Sequence, residues 1–157
     1  MNKVITRTVK TFSDLTQAGL LLQNQTNFPL QMTIKPGKEP RSQQQNRLAF
    51  QWYSDLDSQG DNTSEDYRAF CKLHFGVPIL REDEDFRASY DATMKALDYE
   101  TKIELIKFLE IPITSLMSVK QFTKYLDETH LYFSNKGIQL TDPSLLGIDD
   151  YQKWARA

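Results

Sequence analysis

The stretch between residues 35 and 53 mixes basic, amide and aromatic side chains, a mixture typical of surfaces that hold single-stranded nucleic acid. Its basic and amide members are Lys35, Lys38, Arg41, Gln45, Asn46 and Arg47. Cations displace the counterions of phosphate groups, and exposed aromatic rings stack on the faces of bases. The residue types therefore predict an anion-binding surface in this part of the chain.

Helical phase separates the aromatic side chains of the same stretch. On a helix, five apolar and aromatic side chains fall within an arc of about 140°, which is typical of a stripe that faces the core: Leu48, Ala49, Trp52, Tyr53 and Leu56. Phe50 lies outside that arc and shares a polar face with Arg47. Two interpretations stay open for Phe50: it packs under a loop or a second subunit, or it stacks on a nucleobase.

Carboxylates and thiols offer weaker signals for catalysis. The densest acidic run, from Glu82 to Asp85, indicates either a divalent-metal nuclease or a solvated helix start. Metal-binding carboxylates often come from different elements, so a contiguous run favours the helix start. Cys71 and His74 share one predicted helix, but a structural zinc site needs four such ligands. The apolar neighbours of Cys71 predict a buried thiol, and we predict no metal site.

Charge and composition restrict the kind of partner and its place on the surface. The first 50 of the 157 residues carry seven basic and two acidic side chains, a net charge of +5, and the rest carry twelve and nineteen, a net charge of −7. An overall charge of −2 therefore still allows an anionic partner on one region. The single cysteine excludes an internal disulfide and is typical of a reducing cytoplasm. No apolar run approaches the roughly 18–20 residues of a membrane-spanning helix, so we expect a cytoplasmic protein without a membrane partner.

Hydrophobic periodicity predicts the elements that carry these residues. Strands are predicted over residues 3–12, 28–35 and 137–140. Helices are predicted over residues 14–23, 42–56, 65–75, 83–97, 99–109, 119–135 and 149–156. This order predicts an α+β fold, in which a small N-terminal β-sheet packs with a layer of helices. We expect one domain over residues 1–142, followed by a tail or short helix over residues 143–157.

The predicted helix over residues 119–135 has clear end signals and a pair of tyrosines beside its core-facing side chains. Ser118 and Gln121 form a capping box at its start, and Gly137 provides its stop. Tyr125 and Tyr132, seven residues apart, lie beside a line of side chains at core spacing, formed by Val119, Phe122, Leu126 and Phe133. The tyrosines fit simple packing or a subunit interface, and both interpretations stay open.

Several segments resemble the phage NinB (Orf) family of recombination proteins. The segment Arg41-Ser42-x-x-Gln45-Asn46-Arg47, followed by an apolar-aromatic pair, is similar to the hallmark segment of that family. Residues 114–122, with their Ser, Thr and Met side chains, resemble the family's second segment, and residues 137–140 resemble the end of its long helix. Residues 65–75 also fit in order, so the resemblance covers most of residues 35–142.

The resemblance implies a protein without enzymatic activity or a cofactor. NinB-like proteins are similar to mediators that bind single-stranded DNA as homodimers, contact the host single-strand binding protein and help to load a recombinase or an annealing protein. It implies a cytoplasmic location in the bacterial host. The implied DNA-binding positions are Arg41, Gln45, Asn46, Arg47 and Phe50, and the basic loop adds Lys35 and Lys38. A protein-interaction module without DNA binding and a divalent-metal nuclease remain as alternatives.

Overall fold

The structure of the protein, a computed structural model, describes residues 7, 9, 11–26, 28–34, 43–148 and 151–155. The chain divides into two compact units, Met1–Glu39 and Pro40–Ala157. The α-helices are α1 (Phe12–Gln23), α2 (Gln43–Gln59), α3 (Ser64–Cys71), α4 (Val77–Leu80), α5 (Glu84–Thr93), α6 (Tyr99–Phe108) and α7 (Val119–Asn135). A π-helical turn, Lys72–Gly76, joins α3 to α4, and short 3-10 helices cover Thr114–Leu116, Pro143–Leu146 and Tyr151–Ala155. None of the described helices is long and apolar enough to cross a lipid bilayer.

The predicted α+β fold with an N-terminal sheet is wrong, because the described residues form helices and no strand. Most of the predicted strand over residues 3–12 lies outside the described residues. At its end, Thr11 caps α1 in a capping box with Asp14, whereas the sequence predicts Ser13 as the cap. Residues 28–34 alternate apolar and polar side chains, but no strand among the described residues pairs with them.

Residues 137–140, the third predicted strand, form no strand, and a side chain of α2 binds their backbone instead. Gln59, at the end of α2, accepts a hydrogen bond from the backbone N–H of Gln139 at 3.0 Å and donates one to the backbone carbonyl of the same residue at 2.7 Å. One amide side chain thereby satisfies both backbone groups that a neighbouring strand would satisfy. The backbone N–H of Thr141 donates to Asp55 of α2 at 2.6 Å, so this segment follows α2 without forming a sheet.

The helical path through residues 64–80 is longer than the sequence predicts. The sequence predicts that the helix over residues 65–75 ends before Gly76 and Pro78, because the proline ring clashes with the carbonyl four residues earlier in a regular α-helix. Instead, the backbone N–H of Val77 donates to the carbonyl of Lys72, five residues back, and the chain continues as α4. The wider π-helical turn accommodates the proline without breaking the helical path.

Other predicted boundaries are confirmed by the structure. Ser118 and Gln121 form the predicted capping box at the start of α7, with reciprocal hydrogen bonds of 3.2 Å and 3.0 Å. Gly137 has a φ of 80° just after α7, a conformation that favours glycine. Asp98 caps α6, which begins at Tyr99 as predicted. Asp83 caps α5, but this helix ends at Thr93, short of the predicted end at residue 97. The domain boundary expected after residue 142 stays a prediction.

The core of the second unit forms where α2, α3, α4 and α7 meet. Trp52 and Leu56 of α2 are fully buried, as are Phe122 and Leu126 of α7. Each such side chain contributes roughly 1.5–3 kcal/mol through removal from water. This core fixes the rotation of α2 and therefore determines which of its side chains face solvent.

Candidate nucleic-acid interface

The rotation of α2 agrees with the phase predicted from the sequence. Trp52 is fully buried, and its indole N–H donates to the backbone carbonyl of Thr141 at 2.9 Å. Phe50 retains 54% of its exposure, on the opposite side of the helix. We call the solvent-facing side of α2 the α2 outer face; it carries Gln43, Arg47, Phe50 and Ser54.

A second helix supplies a cation to the ring of Phe50. The guanidinium of Arg68, on α3, lies 5.1 Å from the centroid of the Phe50 ring. The Phe50 ring also packs edge-to-face against Tyr53, with the two ring centroids 5.8 Å apart. This contact supports the Phe50 ring on its core side. Sequence reasoning missed Arg68, because it lies 18 positions away and only helix packing brings it to Phe50.

Arg47 stands one helical turn before Phe50 and is exposed. Its guanidinium donates one hydrogen bond, of 2.7 Å, to the backbone carbonyl of Leu146. A guanidinium has five N–H donors, so this bond orients the side chain and leaves donor capacity for an anion. Arg68 therefore lies over the exposed ring of Phe50, and Arg47 provides a second cation one turn away on the same face of α2.

Gln45 has a structural place in this fold. Its side chain is fully buried, and its amide nitrogen donates to the hydroxyl of Thr123 at 2.9 Å and to the carbonyl of Val119 at 3.2 Å. These bonds tie α2 to the start of α7 and turn the amide away from solvent. The neighbouring Asn46 is half-buried. Gln45 of the hallmark-like segment is therefore a buried structural residue, whereas Arg47 of the same segment faces solvent. The candidate interface does not include Gln45.

The remaining predicted basic positions, Lys35, Lys38 and Arg41, lie outside the described residues. Their contribution rests on the sequence alone, which places them directly before α2. The structure therefore brings together Arg47 and Phe50 from the predicted set and adds Arg68.

The acidic run is a solvated helix start. Glu82 to Asp85 are exposed, and Asp83 caps α5 by accepting the backbone N–H of Phe86 at 2.9 Å. Glu82 forms an ion pair of 2.7 Å with Lys124 of α7. Among the described residues, no three His, Cys, Asp or Glu side chains are grouped so that they could hold a metal ion.

The predicted burial of the Cys71 thiol is confirmed. Cys71 is fully buried, and its burial raises the pKa of the thiol to about 12. His74 is exposed instead and hydrogen-bonds to the hydroxyl of Tyr99 at 3.2 Å. The thiol is therefore protonated at neutral pH and is not an activated nucleophile.

The two tyrosines of α7 do not form one exposed line. Tyr125 is fully buried, and its hydroxyl lies 2.7 Å from that of Tyr53. Tyr132 is half-buried among the aromatic side chains of α3. Of the two interpretations of this pair, Tyr125 fits core packing.

Comparison of the chain with models of known protein families, with curated proteins and with solved structures gives no match.

Proposed function

We propose that the chain binds single-stranded DNA on the α2 outer face. The half-exposed ring of Phe50, with the guanidinium of Arg68 over it and Arg47 one turn away, is the observation that supports this proposal. A base stacks on the accessible part of the ring, and the arginines attract the phosphates beside it. Stacking uses the π-face common to all bases, so binding is tolerant of sequence.

The resemblance to NinB proteins extends the proposal to a role in phage recombination. In this role the chain is a mediator that holds single-stranded DNA, contacts the host single-strand binding protein and assists the loading of a recombinase or annealing protein. Catalysis and a cofactor have no part in the proposal. From the sequence alone, Lys35, Lys38 and Arg41 are further candidate cations of the same proposal.

Self-association is part of the same proposal, and the first unit supports it. Along α1, none of the described side chains is buried, and Phe12 and Leu15 retain 83% and 54% of their exposure. Met32 and Ile34, in the segment that follows, are also exposed. Apolar side chains in such number typically mark a protein contact. A second copy would cover them and double the basic surface.

Fluorescence anisotropy with a labelled oligodeoxythymidine of about 20 nucleotides tests the DNA proposal. Phe50→Ala should weaken binding by roughly 1–3 kcal/mol, the usual effect of removing one stacked base. Phe108→Ala is the matched control, because Phe108 is equally a solvent-exposed phenylalanine but lies on α6. Equal affinities for wild type and Phe50→Ala would exclude stacking on this ring.

The salt dependence of the same binding tests the cations. If three of the basic residues neutralise phosphates, the logarithm of the binding constant should fall with the logarithm of salt concentration at a slope of roughly −2. A slope near zero would remove the electrostatic basis of the proposal. Loss of the labelled strand only when Mg²⁺ is added would instead support the nuclease alternative.

A further inference from the structure

An aromatic groove lies between α3, α6 and the C-terminal end of α7, away from Phe50. Its volume is about 590 Å³, within the range of roughly 300–1,000 Å³ of ligand sites. We call it the aromatic groove and define it by Tyr67, Phe70, Tyr99 and Tyr132. With Phe133, five aromatic rings from three helices therefore line one open cavity.

The rings of the groove support one another. The centroids of Phe70 and Tyr132 are 5.5 Å apart, and Phe70 packs against His74 at 4.1 Å. His74 belongs to the π-helical turn and hydrogen-bonds to the hydroxyl of Tyr99. Tyr99 nevertheless keeps half of its exposure, so one ring of the groove is fixed in place and still open to a ligand.

One ring of the groove already holds a cation. The ammonium of Lys136, just after α7, lies 4.8 Å from the centroid of the Tyr132 ring. This is the geometry of a cation–π interaction, in which the negative face of the ring attracts a positive charge. The groove therefore has the chemistry to hold an ammonium or guanidinium group.

Acidic side chains surround the same rings. Glu100 and Glu104, on α6, line the groove, are exposed and form no ion pair with any residue that the structure describes. Asp66 also lines it and is paired with Lys107 at 2.6 Å. His74 is exposed by surface area but partly desolvated by its neighbours, which lowers the pKa of its imidazole, so the imidazole adds little positive charge at neutral pH. With Asp66 paired to Lys107, Glu100 and Glu104 outnumber the one other cation of the lining, Lys136, so the groove favours a cation over a phosphate.

We propose that the aromatic groove binds an arginine- or lysine-bearing segment of a partner protein. The cationic head lies against the Tyr99 ring and near Glu100 and Glu104. Ile103 and Ile138, which also line the groove, are half-buried and provide apolar walls for the methylene stem of the same side chain. A protein segment fits the open groove better than a free cation, since neighbouring apolar residues of the segment can cover the remaining rings.

A labelled peptide tests this site with the full chain. The probe is a fluorescein-labelled heptapeptide with two arginines among glycine and leucine residues, and the control peptide carries the neutral isostere citrulline in place of both arginines. Fluorescence polarisation should show saturable binding of the arginine peptide and at least fivefold weaker binding of the citrulline peptide. Equal binding of the two peptides, or no saturable binding of either, would overturn the proposal.

Variants of the groove locate the binding. Tyr99→Ala should weaken the arginine peptide about two- to fivefold, the effect expected for an exposed cation–π contact. The combined variant Glu100→Gln and Glu104→Gln should weaken it to a similar extent, and it tests the site even if Tyr99→Ala folds poorly. Phe108→Ala, on the same helix but outside the groove, should have no effect.

The DNA assay separates this site from the α2 outer face. Tyr99→Ala should leave the affinity of the chain for the labelled oligodeoxythymidine at the wild-type value. If the wild-type chain binds no DNA, the peptide assay still tests the groove by itself. If Tyr99→Ala weakens DNA binding and leaves the arginine peptide unaffected, the groove belongs to a nucleic acid and the inference is wrong.

Discussion

The hydroxyl groups of Tyr53 and Tyr125 meet at 2.7 Å inside the core and join α2 to α7. Tyr125 is fully buried, and Tyr53 is nearly so. Burial of this kind is tolerated because each hydroxyl has a partner of its own type. The contact also sets the rotation of α2, since Tyr53 lies beside Trp52 on the buried face and next to the ring of Phe50.

A double-mutant cycle measures this contact. Tyr53→Phe and Tyr125→Phe should each lower the free energy of unfolding by about 1–2 kcal/mol, because each leaves a buried hydroxyl without its partner across the helices. The double variant should lose less than the two single losses added together, since it removes both hydroxyls. Urea denaturation of the four proteins gives these values. Strict additivity would mean that the two groups do not interact.

The two aromatic residues on opposite sides of α2 should differ in stability effects. Trp52→Ala should destabilise the protein by roughly 3–5 kcal/mol, because it leaves a cavity in the core and removes the bond to Thr141. Phe50→Ala should cost about 1 kcal/mol or less, since half of the ring is already in solvent. Thermal melting compares both with wild type. An early melting transition in Phe50→Ala would identify Phe50 as a structural residue.

Local signals were enough to predict most helices but not the fold class. The capping box of Ser118 and Gln121 lies within four residues, so its hydrogen bonds could be predicted from the sequence. A strand depends on a neighbour that local patterns do not reveal. At Gln139 that neighbour is the side chain of Gln59, 80 positions away, which removes the need for a sheet.

In the candidate site, too, local patterns predict some features and long-range contacts decide the others. Helical periodicity alone predicted Trp52 in the core and Phe50 on the opposite, polar face of the helix, as the structure confirms. The burial of Gln45 was missed because its partners, Val119 and Thr123, lie on α7. From its residue type alone, an amide side chain is expected to lie in solvent and contact a ligand. Only the packing of α2 against α7 shows that the Gln45 amide is buried.

Alkaline pH should destabilise the fold through the Cys71 thiol. Burial raises the pKa of this thiol from 9.0 to about 12. Between these values the unfolded chain has lost the proton and the folded chain retains it, so the unfolded state binds fewer protons and stability falls as pH rises. The slope from this group is about 1.4 kcal/mol per pH unit. Urea denaturation between pH 8 and pH 11 under reducing conditions should therefore show a shallower slope for Cys71→Ala than for wild type.

Acidic pH should weaken the ion pair that joins α3 to α6. The ammonium of Lys107 donates to Asp66 at 2.6 Å, and this bond, with that from Thr63, lowers the pKa of the Asp66 carboxyl from 3.8 to about 2. Its contribution to stability is complete above pH 3.8 and is lost as pH falls towards 2, because the unfolded chain takes up the proton first.

Removal of the ammonium tests this ion pair. Lys107→Gln should lower the free energy of unfolding only slightly at pH 7, since both side chains remain partly exposed and solvent screens the pair. The difference from wild type should shrink as pH approaches 2. A constant difference across the titration would assign the effect to packing of the lysine stem.

Exposed apolar side chains on α1 should drive self-association. Phe12, Leu15, Gly19 and Leu22 follow a three-four-three spacing, which places them along one side of the helix. Gly19 has no atom within 4 Å of the place a Cβ would occupy, so a second helix can approach closely there. Sedimentation at micromolar concentration should therefore show a species of twice the chain's 18.3 kDa.

Charge placed on this stripe should separate the subunits. Leu15→Glu combined with Leu22→Glu should shift the sedimentation profile to the monomer, because burying two carboxylates against another helix costs more than the contact gains. Leu131→Glu is the control, since Leu131 is an exposed leucine of α7 in the other unit. A dimer that survives the α1 variant but not the control would move the interface to α7. A wild-type chain that stays monomeric throughout would refute self-association altogether.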